Sequence, residues 1–250
     1  MDFRIQQSVV VNLSRRPAPV EVGPFVLGLD PTTTSPYVNY ATPRPGAAVT
    51  AADVTTLVAA FRAADRTPRL EYVTGCAPDL EALLTAAGFV VEARHTYLLC
   101  VPATLVSPPV PDRFRLCEPG ADPLRAALIS VQNEAFGDDS VASEADVARL
   151  RHQQDAGGVA VMAVTEDGGC AGGGGAAAPA GAVSEVAGIA VRAPYRRRGL
   201  ASAITAEVTR RLFGASTEVA WLEAGGEDSW RVYERVGYRP GGQRLYLAMN

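Results

Sequence analysis

Short apolar runs and longer amphipathic stretches follow one another along the whole chain. Segments such as GVAVMAVTED and SEVAGIAV are short, largely apolar and bounded by glycine or charged residues, which predicts buried β-strands. Segments such as TAADVTTLVAAFRAA and GLASAITAEVTRRLF place apolar residues three and four positions apart, which predicts helices with one buried face. Thr50 and Ser143 stand where helix N-caps are expected, and Asp146, three residues after Ser143, completes an approximate capping box. The pattern predicts a mixed α/β protein.

The order of the predicted elements divides the chain into two halves with related endings. From residue 112 onward the order is β-α-α-β-β-β-α-β-α-β, and the first half ends in β-α-β-α-β. Leu70-Glu71 matches Leu222-Glu223, and Gly88-Phe89 matches Gly237-Tyr238, with three extra residues in the first copy. This spacing indicates an internal repeat.

Two segments of biased composition interrupt the pattern. The proline-rich stretch PATLVSPPVPD is typical of a linker, so we expect two domains, residues 1–105 and residues 106–250. The glycine-rich stretch GGCAGGGGAAAPAG leaves two interpretations open. It is either a flexible hairpin or a strand kept small so that a ligand can lie against it.

The overall composition excludes several classes of protein. The 250 residues are 48% hydrophobic and carry a formal net charge of −4, which argues against a general nucleic-acid-binding surface. The chain contains no run of 18 apolar residues and does not begin like a signal peptide, so we expect a cytoplasmic protein with no membrane partner. The four cysteines are scattered without a CxxC pair and are expected to be reduced. With two histidines and no clustered ligands, we expect no metal site.

The stretch VRAPYRRRGLAS, residues 191–202, places three consecutive arginines between a predicted strand and a predicted helix of this acidic chain. The start of a helix presents free backbone N–H groups and partial positive charge, so the turn is suited to hold an anion such as a phosphate. Arg196, Arg197 and Arg198 add positive charge. Gly199 lets the backbone approach a ligand without a Cβ in the way, and Ala201 is small for the same reason.

Two motifs in the second half resemble those of one enzyme family. The spacing Arg196-x-x-Gly199-x-Ala201 resembles the hallmark of the GNAT superfamily of acyl-CoA-dependent N-acyltransferases, Gln/Arg-x-x-Gly-x-Gly/Ala, which stands between the central strand and the next helix. The segment from Tyr233 to Tyr238 is similar to the family's second signature, in which a tyrosine precedes Gly-Phe/Tyr by a few residues. The element order from about residue 112 to residue 250 also fits. The resemblance implies a GNAT fold in the C-terminal half.

The first half departs from the family pattern. Its counterpart of the arginine turn is TPRPGAAVTAAD, which contains one arginine and no R-x-x-G-x-A spacing, and Leu84 stands in the place of Tyr233. We therefore expect a tandem protein whose N-terminal half is a truncated, degenerate GNAT-like domain without the cofactor loop. Its expected roles are packing and forming one wall of the acceptor cleft.

The resemblance also implies roles for particular residues. The main chain of Ile189, Ala190 and Val191 would pair with the pantetheine arm of acetyl-CoA like an added β-strand. The amides of the segment that contains Arg197, Arg198, Gly199, Leu200 and Ala201 would cradle its pyrophosphate, with Arg196 opening the motif.

Three carboxyl or hydroxyl groups are candidates for the chemistry. Tyr233 matches the family's usual general acid, which protonates the departing CoA thiolate, with aromatic packing under the last strands as the other interpretation. Glu185 stands where some members keep a glutamate as general base, with a plain surface carboxylate as the other interpretation, and Glu223 is a weaker alternative. Many members have an asparagine seven residues before the tyrosine, and this chain has Gly226 there.

The leading functional hypothesis is an N-acetyltransferase that moves an acetyl group from acetyl-CoA to a primary amine by direct attack in a ternary complex. The alternatives are a noncatalytic acyl-CoA-binding or regulatory module and, third, a nucleic-acid-binding protein that uses the arginine run. The expected partner is a small-molecule or peptide amine, and the protein is expected to be a monomer or a homodimer. The acidic stretch EAFGDDSVASEAD is either solvated or faces a cationic acceptor.

Overall fold

The chain folds into two units, each of which contains a mixed β-sheet. The computed structural model describes residues 1–249. The first unit consists of Met1–Tyr97 together with the end of the chain from Pro240 onward, and the second unit consists of Leu98–Arg239. The fold class is mixed α/β, as the pattern of the sequence predicts.

The first unit places three helices against a sheet with the strand order β1-β2-β3-β4-β11-β5. Strands β3 and β4 are parallel, whereas β2 is antiparallel to β1 and β3, and β11 is antiparallel to β4. Its elements are α1 (Asp2–Ser14), β1 (Val20–Val22), β2 (Phe25–Gly28), β3 (Tyr40–Pro43), α2 (Ala51–Ala63), β4 (Arg69–Val73), α3 (Leu80–Ala86), β5 (Val90–Cys100, whose last three residues belong to the second unit) and β11 (Arg239–Ala248).

The second unit contains a sheet with the strand order β10-β9-β8-β7-β6, in which β9 and β10 are parallel and the other neighbours are antiparallel. Helices α4 and α5 pack on one face of this sheet, through Leu128 and Leu150, and α6 packs on the other. Its elements are β6 (Phe114–Cys117), α4 (Asp122–Phe136), α5 (Glu144–Asp155), β7 (Val159–Thr165), β8 (Cys170–Ala176), β9 (Val183–Val191), α6 (Leu200–Gly214), β10 (Val219–Glu223) and α7 (Glu227–Val236).

The helix caps expected from the sequence are confirmed. Thr50 caps α2 and Ser143 caps α5, each in a reciprocal capping box with an aspartate three residues on. In contrast, the prediction had no element for α1. The helix buries Ile5, Val9 and Leu13 at four-residue spacing, a helical period that the sequence contains.

The last strand of the chain belongs to the first unit, whereas the sequence favoured a single boundary at residue 105. Leu245 lies opposite Tyr72 and Leu247 opposite Leu70, and all four side chains are buried in one apolar cluster. Hydrophobic alternation marks β11 as a strand, but it does not specify which strand becomes its partner.

The internal repeat is visible in the way α3 and α7 end. Gly88 and Gly237 follow the two helices with φ angles of +96° and +101°. The N–H of Phe89 donates to the carbonyl of Leu84 at 3.0 Å, and the N–H of Tyr238 donates to the carbonyl of Tyr233 at 3.1 Å. These six-to-one bonds are Schellman caps, so the matched dipeptides mark the same turn in both copies.

The glycine-rich stretch forms β8, a central strand between β7 and β9. A Cβ on Gly173 would lie 2.2 Å from Leu128 Cδ1, and one on Gly174 would lie 2.3 Å from Ile189 Cδ1. The strand is therefore small because side chains of α4 and β9 pack directly onto it. The stretch is thus a strand, as one of the two interpretations held, and not a flexible hairpin.

Candidate functional site

Strand β9 carries a bulge just before the segment assigned to the pantetheine arm. Gly175 lies opposite Ala187 and Gly173 lies opposite Ala190, so β9 has one residue more than β8 over this interval. Gly188 adopts a φ of +65° there, a conformation that glycine tolerates best. Because a bulge bends its strand and increases the local twist, it re-aims the residues that follow.

Strands β9 and β10 run side by side only at their beginnings. Their parallel pairing extends from Val183 opposite Val219 to Glu185 opposite Trp221. Strand β9 continues for six residues beyond Glu185, to Val191, and the bulge falls within this part. Among the described residues, the main-chain groups past Glu185 on this side of β9 therefore have no partner in β10.

The turn after β9 ends in a row of amides that point to no acceptor. Arg197 and Gly199 both have left-handed backbones, with φ angles of +63° and +84°, and Gly199 directly precedes α6. Within residues 1–249, the N–H groups from Arg197 to Ser202 have no hydrogen-bond acceptor, and the first helical bond is Ala203 to Gly199. Free amides at a helix start, added to the helix dipole, form an anion site.

The structure gives Gly199 a second reason to be glycine. A Cβ at this position would meet nothing within 4 Å, so the neighbouring residues do not exclude a side chain. The positive φ does select glycine, because other residues are strained there.

The three arginines of the turn differ in what they contact. The Arg196 Nε donates to the carbonyl of Val191 at 2.9 Å, and its guanidinium also reaches the carbonyl of Ala135, at 3.5 Å, near the end of α4. Arg196 thus ties the turn to β9 and α4. Arg197 and Arg198 are exposed.

Tyr233 lies on α7 with its side chain 8% exposed, in one apolar cluster with Val191 and Leu200. The structure therefore brings the proposed acid together with the end of β9 and the start of α6. Burial raises the pKa of Tyr233 to about 12. The neighbouring Tyr238 hydroxyl is 2.7 Å from Thr209 Oγ1 and is fully engaged inside the unit.

Glu185, the third residue of β9, is half-buried, and its carbonyl accepts a hydrogen bond from the N–H of Ala177 at 2.9 Å. The next residue, Val186, is buried in the cluster that contains Tyr233. Since successive side chains of a strand point to opposite faces, the Glu185 carboxyl lies on the face covered by α4. Tyr233 and Glu185 are therefore not in the same cluster.

The acidic stretch between α4 and α5 is engaged mostly in local contacts. Glu134 pairs with Arg192, Asp138 accepts from the N–H of Ser140, and Asp146 caps α5 and pairs with Arg149. Phe136 and Val141 in the same region are 66% and 81% exposed.

The sequence also raised the state of the cysteines, a metal site and a membrane-spanning helix. Cys76 and Cys100 are buried, and burial raises the pKa of both thiols and of the Cys170 thiol. Over residues 1–249, no cluster of three or more His, Cys, Asp or Glu side chains could hold a metal ion. In the same range, no helix has the length and apolar character needed to span a membrane.

Sequence reasoning missed the contacts that α4 makes with β9 and the turn. The Gln132 Nε2 donates to the carbonyl of Gly188 at 2.7 Å, and Arg192 pairs with Glu134 at 3.0 Å. A glutamine on the buried side of an amphipathic helix was the available signal, but nothing in the sequence indicates its acceptor.

Comparison with known proteins assigns the second unit to a family. The model of the acetyltransferase (GNAT) family matches residues 126–238, which span the bulged strand, the arginine turn and Tyr233. This segment is a GNAT domain. The GNAT fold supports an acyl-CoA-dependent N-acetyltransferase in general and implies acetyl-CoA binding.

Solved structures of GNAT proteins resemble the chain over nearly its whole length. A GCN5-related N-acetyltransferase from Kribbella flavida is 26% identical, with a TM-score of 0.84, and the match covers 100% of this chain and 95% of that one. A tandem GNAT protein from the clavulanic acid biosynthesis pathway is 14% identical, with a TM-score of 0.63 over 90% of this chain and 77% of that one. Comparison with curated protein sequences gives no match. The tandem arrangement is thus shared with a solved GNAT structure.

Proposed function

We propose that the protein is an acetyl-CoA-dependent N-acetyltransferase that moves an acetyl group to a primary amine by direct attack in a ternary complex. The observation that carries the proposal is the turn between β9 and α6. There, six consecutive amides, from Arg197 to Ser202, have no acceptor among the described residues and stand next to a strand edge without a partner. A diphosphate group continuous with a hydrogen-bonding arm fits both features.

The residues present fit acyl-CoA in the following way. The amides from Arg197 to Ala201 would hold the pyrophosphate, with the charges of Arg197 and Arg198 nearby. The main chain of Ile189, Ala190 and Val191 would pair with the pantetheine arm. Arg196 is assigned a supporting role, because its guanidinium already bonds to two main-chain carbonyls. Leu200 anchors the start of α6 in the core, at 1% exposure.

Tyr233 is our candidate for the general acid. With a pKa raised to about 12, its phenol stays protonated at neutral pH and is available as a donor to the sulfur of the leaving thiolate. A thiolate in the same buried place would also have a raised pKa, which brings the two groups closer in proton affinity. The phenol then stabilises the departing charge while the bond breaks.

Glu185 is our candidate for the general base. Its carboxyl lies on the face of β9 that α4 covers, whereas Tyr233 belongs to the cluster on the other face. An amine that enters from the α4 side would meet Glu185 as the base. A thiolate that leaves toward α7 would meet Tyr233 as the acid. No covalent acyl-enzyme is required, and burial of Cys76, Cys100 and Cys170 raises their pKa and favours the unreactive thiol form.

We propose that the N-terminal half is a degenerate GNAT-like domain without the cofactor loop. Its turn TPRPGAAVTAAD contains one arginine, and Leu84, fully buried, takes the place of Tyr233. The half therefore lacks a charged cofactor turn and an acid.

A noncatalytic acyl-CoA-binding module is the second candidate, and the depth of Tyr233 favours it. A phenol with a pKa of about 12 is a weak acid, and a site that only binds acyl-CoA needs the turn and no proton donor. The two functions share the cofactor turn and differ in the need for the Tyr233 hydroxyl.

The decisive experiment measures acetyl-CoA binding and CoA release with a panel of amines for the wild-type protein, Tyr233→Phe and Tyr238→Phe. We expect Tyr233→Phe to lower kcat by roughly 100-fold, the scale of general acid catalysis, and to leave the Kd for acetyl-CoA nearly unchanged. Tyr238→Phe removes a fully buried hydroxyl in the same cluster and should retain kcat. An unchanged rate in Tyr233→Phe would remove this residue from the mechanism, and binding without CoA release across the panel would favour the noncatalytic module.

A further inference from the structure

Each unit contains a glutamine that bonds to the main chain at the same point of its sheet. The repeat aligns Leu70 with Leu222. In the first unit Ala41 lies opposite Leu70. In the second unit Glu185 lies opposite Trp221, and continuing this register by one residue aligns Val186 with Leu222. Pro43 therefore corresponds to Gly188, and Val73 corresponds to Gly225.

In the second unit, the amide of Gln132 grips the bulge of β9. Its Nε2 donates to the Gly188 carbonyl at 2.7 Å, and a Cβ on Gly188 would lie 2.5 Å from the same nitrogen. On the next residue of the bulge, the Ile189 side chain packs onto Gly174, where a Cβ would come within 2.3 Å of Ile189 Cδ1. The bulge is thus fixed by a hydrogen bond at one residue and by close packing at the next.

We propose that Gln132 is a positioning residue for acyl-CoA, an inference that rests on the proposed function. The Gly188 carbonyl is held by the amide, so the peptide planes from Ile189 to Val191 leave the bulge in a fixed direction. Without the amide, the carbonyl loses its partner and this segment can rotate back toward the regular ladder. The amides and carbonyls offered to the pantetheine arm then lose their alignment.

Replacing Gln132 with methionine tests this role, because methionine keeps the length of the side chain and removes the donor. Gln153→Met is the matched control, since Gln153 Nε2 donates to the carbonyl of Ala176 on β8 at 2.8 Å. Both variants lose one helix-to-sheet hydrogen bond. We expect a roughly tenfold higher Kd and KM for acetyl-CoA in Gln132→Met, a smaller change in kcat, and wild-type binding in Gln153→Met.

The outcomes separate this inference from the proposed function. An unchanged Kd in Gln132→Met, or an equal increase in Gln153→Met, would overturn the positioning role while acetyl-CoA binding itself stands. A wild-type protein that binds no acetyl-CoA would overturn both. If Gln132→Met does not fold, Gln132→Glu keeps the shape and replaces the donor by an acceptor, with the same expected increase in Kd.

In the first unit, Gln6 of α1 closes the equivalent gap, and this observation is independent of the bulge. The fully buried Gln6 donates from Nε2 to the Pro43 carbonyl and to Thr42 Oγ1, both at 2.7 Å. Its Oε1 accepts from the N–H of Val73 at 2.8 Å. One side chain therefore bridges β3 and β4, whereas the N–H of Gly225, which corresponds to Val73, has no acceptor among residues 1–249.

The structure assigns Gln6 the role of an internal plug that takes the hydrogen bonds a ligand amide would otherwise make between β3 and β4. Asp2 strengthens this placement of α1, because its carboxylate packs against the backbone of Gly75 and accepts from the Tyr97 hydroxyl. The first unit is consequently closed to a pantetheine arm by its own first helix. The chain then binds one acyl-CoA, although it contains two copies of the repeat.

Hydrogen–deuterium exchange of the Val73 amide tests the plug without any ligand. We expect faster exchange of Val73 in Gln6→Met and wild-type protection in Gln7→Met, since Gln7 is the exposed neighbour on the same helix. If Gln6→Met does not fold, Gln6→Glu keeps the acceptor for Val73 and should retain its protection. Unchanged exchange in Gln6→Met, or lost protection in Gln6→Glu, would overturn the bond from Gln6 to Val73.

Calorimetric titration with acetyl-CoA tests the consequence. We expect one equivalent bound per wild-type chain and none in a Gly199→Trp variant. A second equivalent would overturn the closure of the first unit. A wild-type chain that binds none contradicts the proposed function, and the exchange of Val73 then decides the plug alone.

Discussion

At the scale of single residues, the candidate site depends on backbone conformation as much as on side-chain chemistry. Arg197 and Gly199 take left-handed φ angles and so turn a run of amides outward. In contrast, the Arg196 side chain donates hydrogen bonds to carbonyls of β9 and α4. In our proposal the amides hold the anion, and the arginines contribute long-range charge.

Replacing Gly199 should therefore weaken acetyl-CoA binding more than removing any one arginine. Gly199→Val places a β-branched residue at a φ of +84°, where it is strained, and moves the first amides of α6. We expect a Kd at least tenfold higher than that of Arg197→Ala or Arg198→Ala, measured by calorimetry. A larger effect from either arginine would show that side-chain charge holds the ligand.

Buried tyrosines give the folded protein a specific pH dependence. Burial raises the pKa of Tyr233 to about 12, and that of Tyr238 further still, above the value of about 10 expected in the unfolded chain. The folded state then binds more protons than the unfolded state above pH 10. The contribution of these tyrosines to the free energy of unfolding is therefore fully present below about pH 10 and is lost as the pH rises through 12.

Urea unfolding at pH 8, 10 and 11 checks this dependence. We expect the free energy of unfolding to fall between pH 10 and 11 and the fall to be smaller in Tyr233→Phe. A decline that is equally steep in this variant would assign the effect to other groups. The proposed acid role also predicts no loss of activity from Tyr233 ionisation below about pH 10.

At the scale of elements, the glycines of β8 are explained by the side chains that pack on the strand. Its glycines allow Leu128 of α4 to approach the backbone on one face of the sheet and Ile189 of β9 to approach it on the other. The composition of the stretch resembles a flexible loop, and its neighbours make it a central strand.

Gly173→Ala should destabilise the protein by about 1–3 kcal/mol, the usual cost of overpacking a core. The added methyl would lie 2.2 Å from Leu128 Cδ1 and 2.5 Å from the carbonyl of Val161, and the latter belongs to the backbone and cannot move alone. Gly120→Ala is the matched control, since its Cβ meets nothing within 4 Å. Urea midpoints of the two variants give the comparison, and equal midpoints would show that β8 has room for a side chain.

At the scale of the whole molecule, the first unit is built from two separate stretches of the chain. The last strand, β11, pairs with β4 of the first unit, and its Leu245 and Leu247 complete the apolar cluster around α2 and α3. The apolar core of the first unit therefore includes residues of the last strand, β11.

Leu247→Ala tests this dependence at a position three residues from the C-terminus. The side chain is fully buried, so its loss should cost about 2–5 kcal/mol. We expect hydrogen exchange to rise in peptides that cover α2 and β4, which belong to the same cluster. Exchange that rises only within β11 itself would contradict this coupling.

The sequence by itself determined most of the elements, the helix caps at Thr50 and Ser143, the repeat and the family resemblance. These features depend on neighbouring residues or on short spacings, such as Arg196-x-x-Gly199-x-Ala201, which a linear pattern contains in full. The fold class and the GNAT character of residues 126–238 were predicted correctly on this basis.

The tertiary structure alone decided which residues meet across the sheet. The partner of β11, the packing on β8 and the two glutamines, Gln6 and Gln132, all depend on contacts between residues that are far apart in the chain. A buried glutamine is costly unless both its donor and its acceptor are satisfied, and only the fold shows which main-chain groups satisfy them. Because the same residue type bridges β3 and β4 in the first unit and binds the bulge of β9 in the second, its role follows from its place in the sheet.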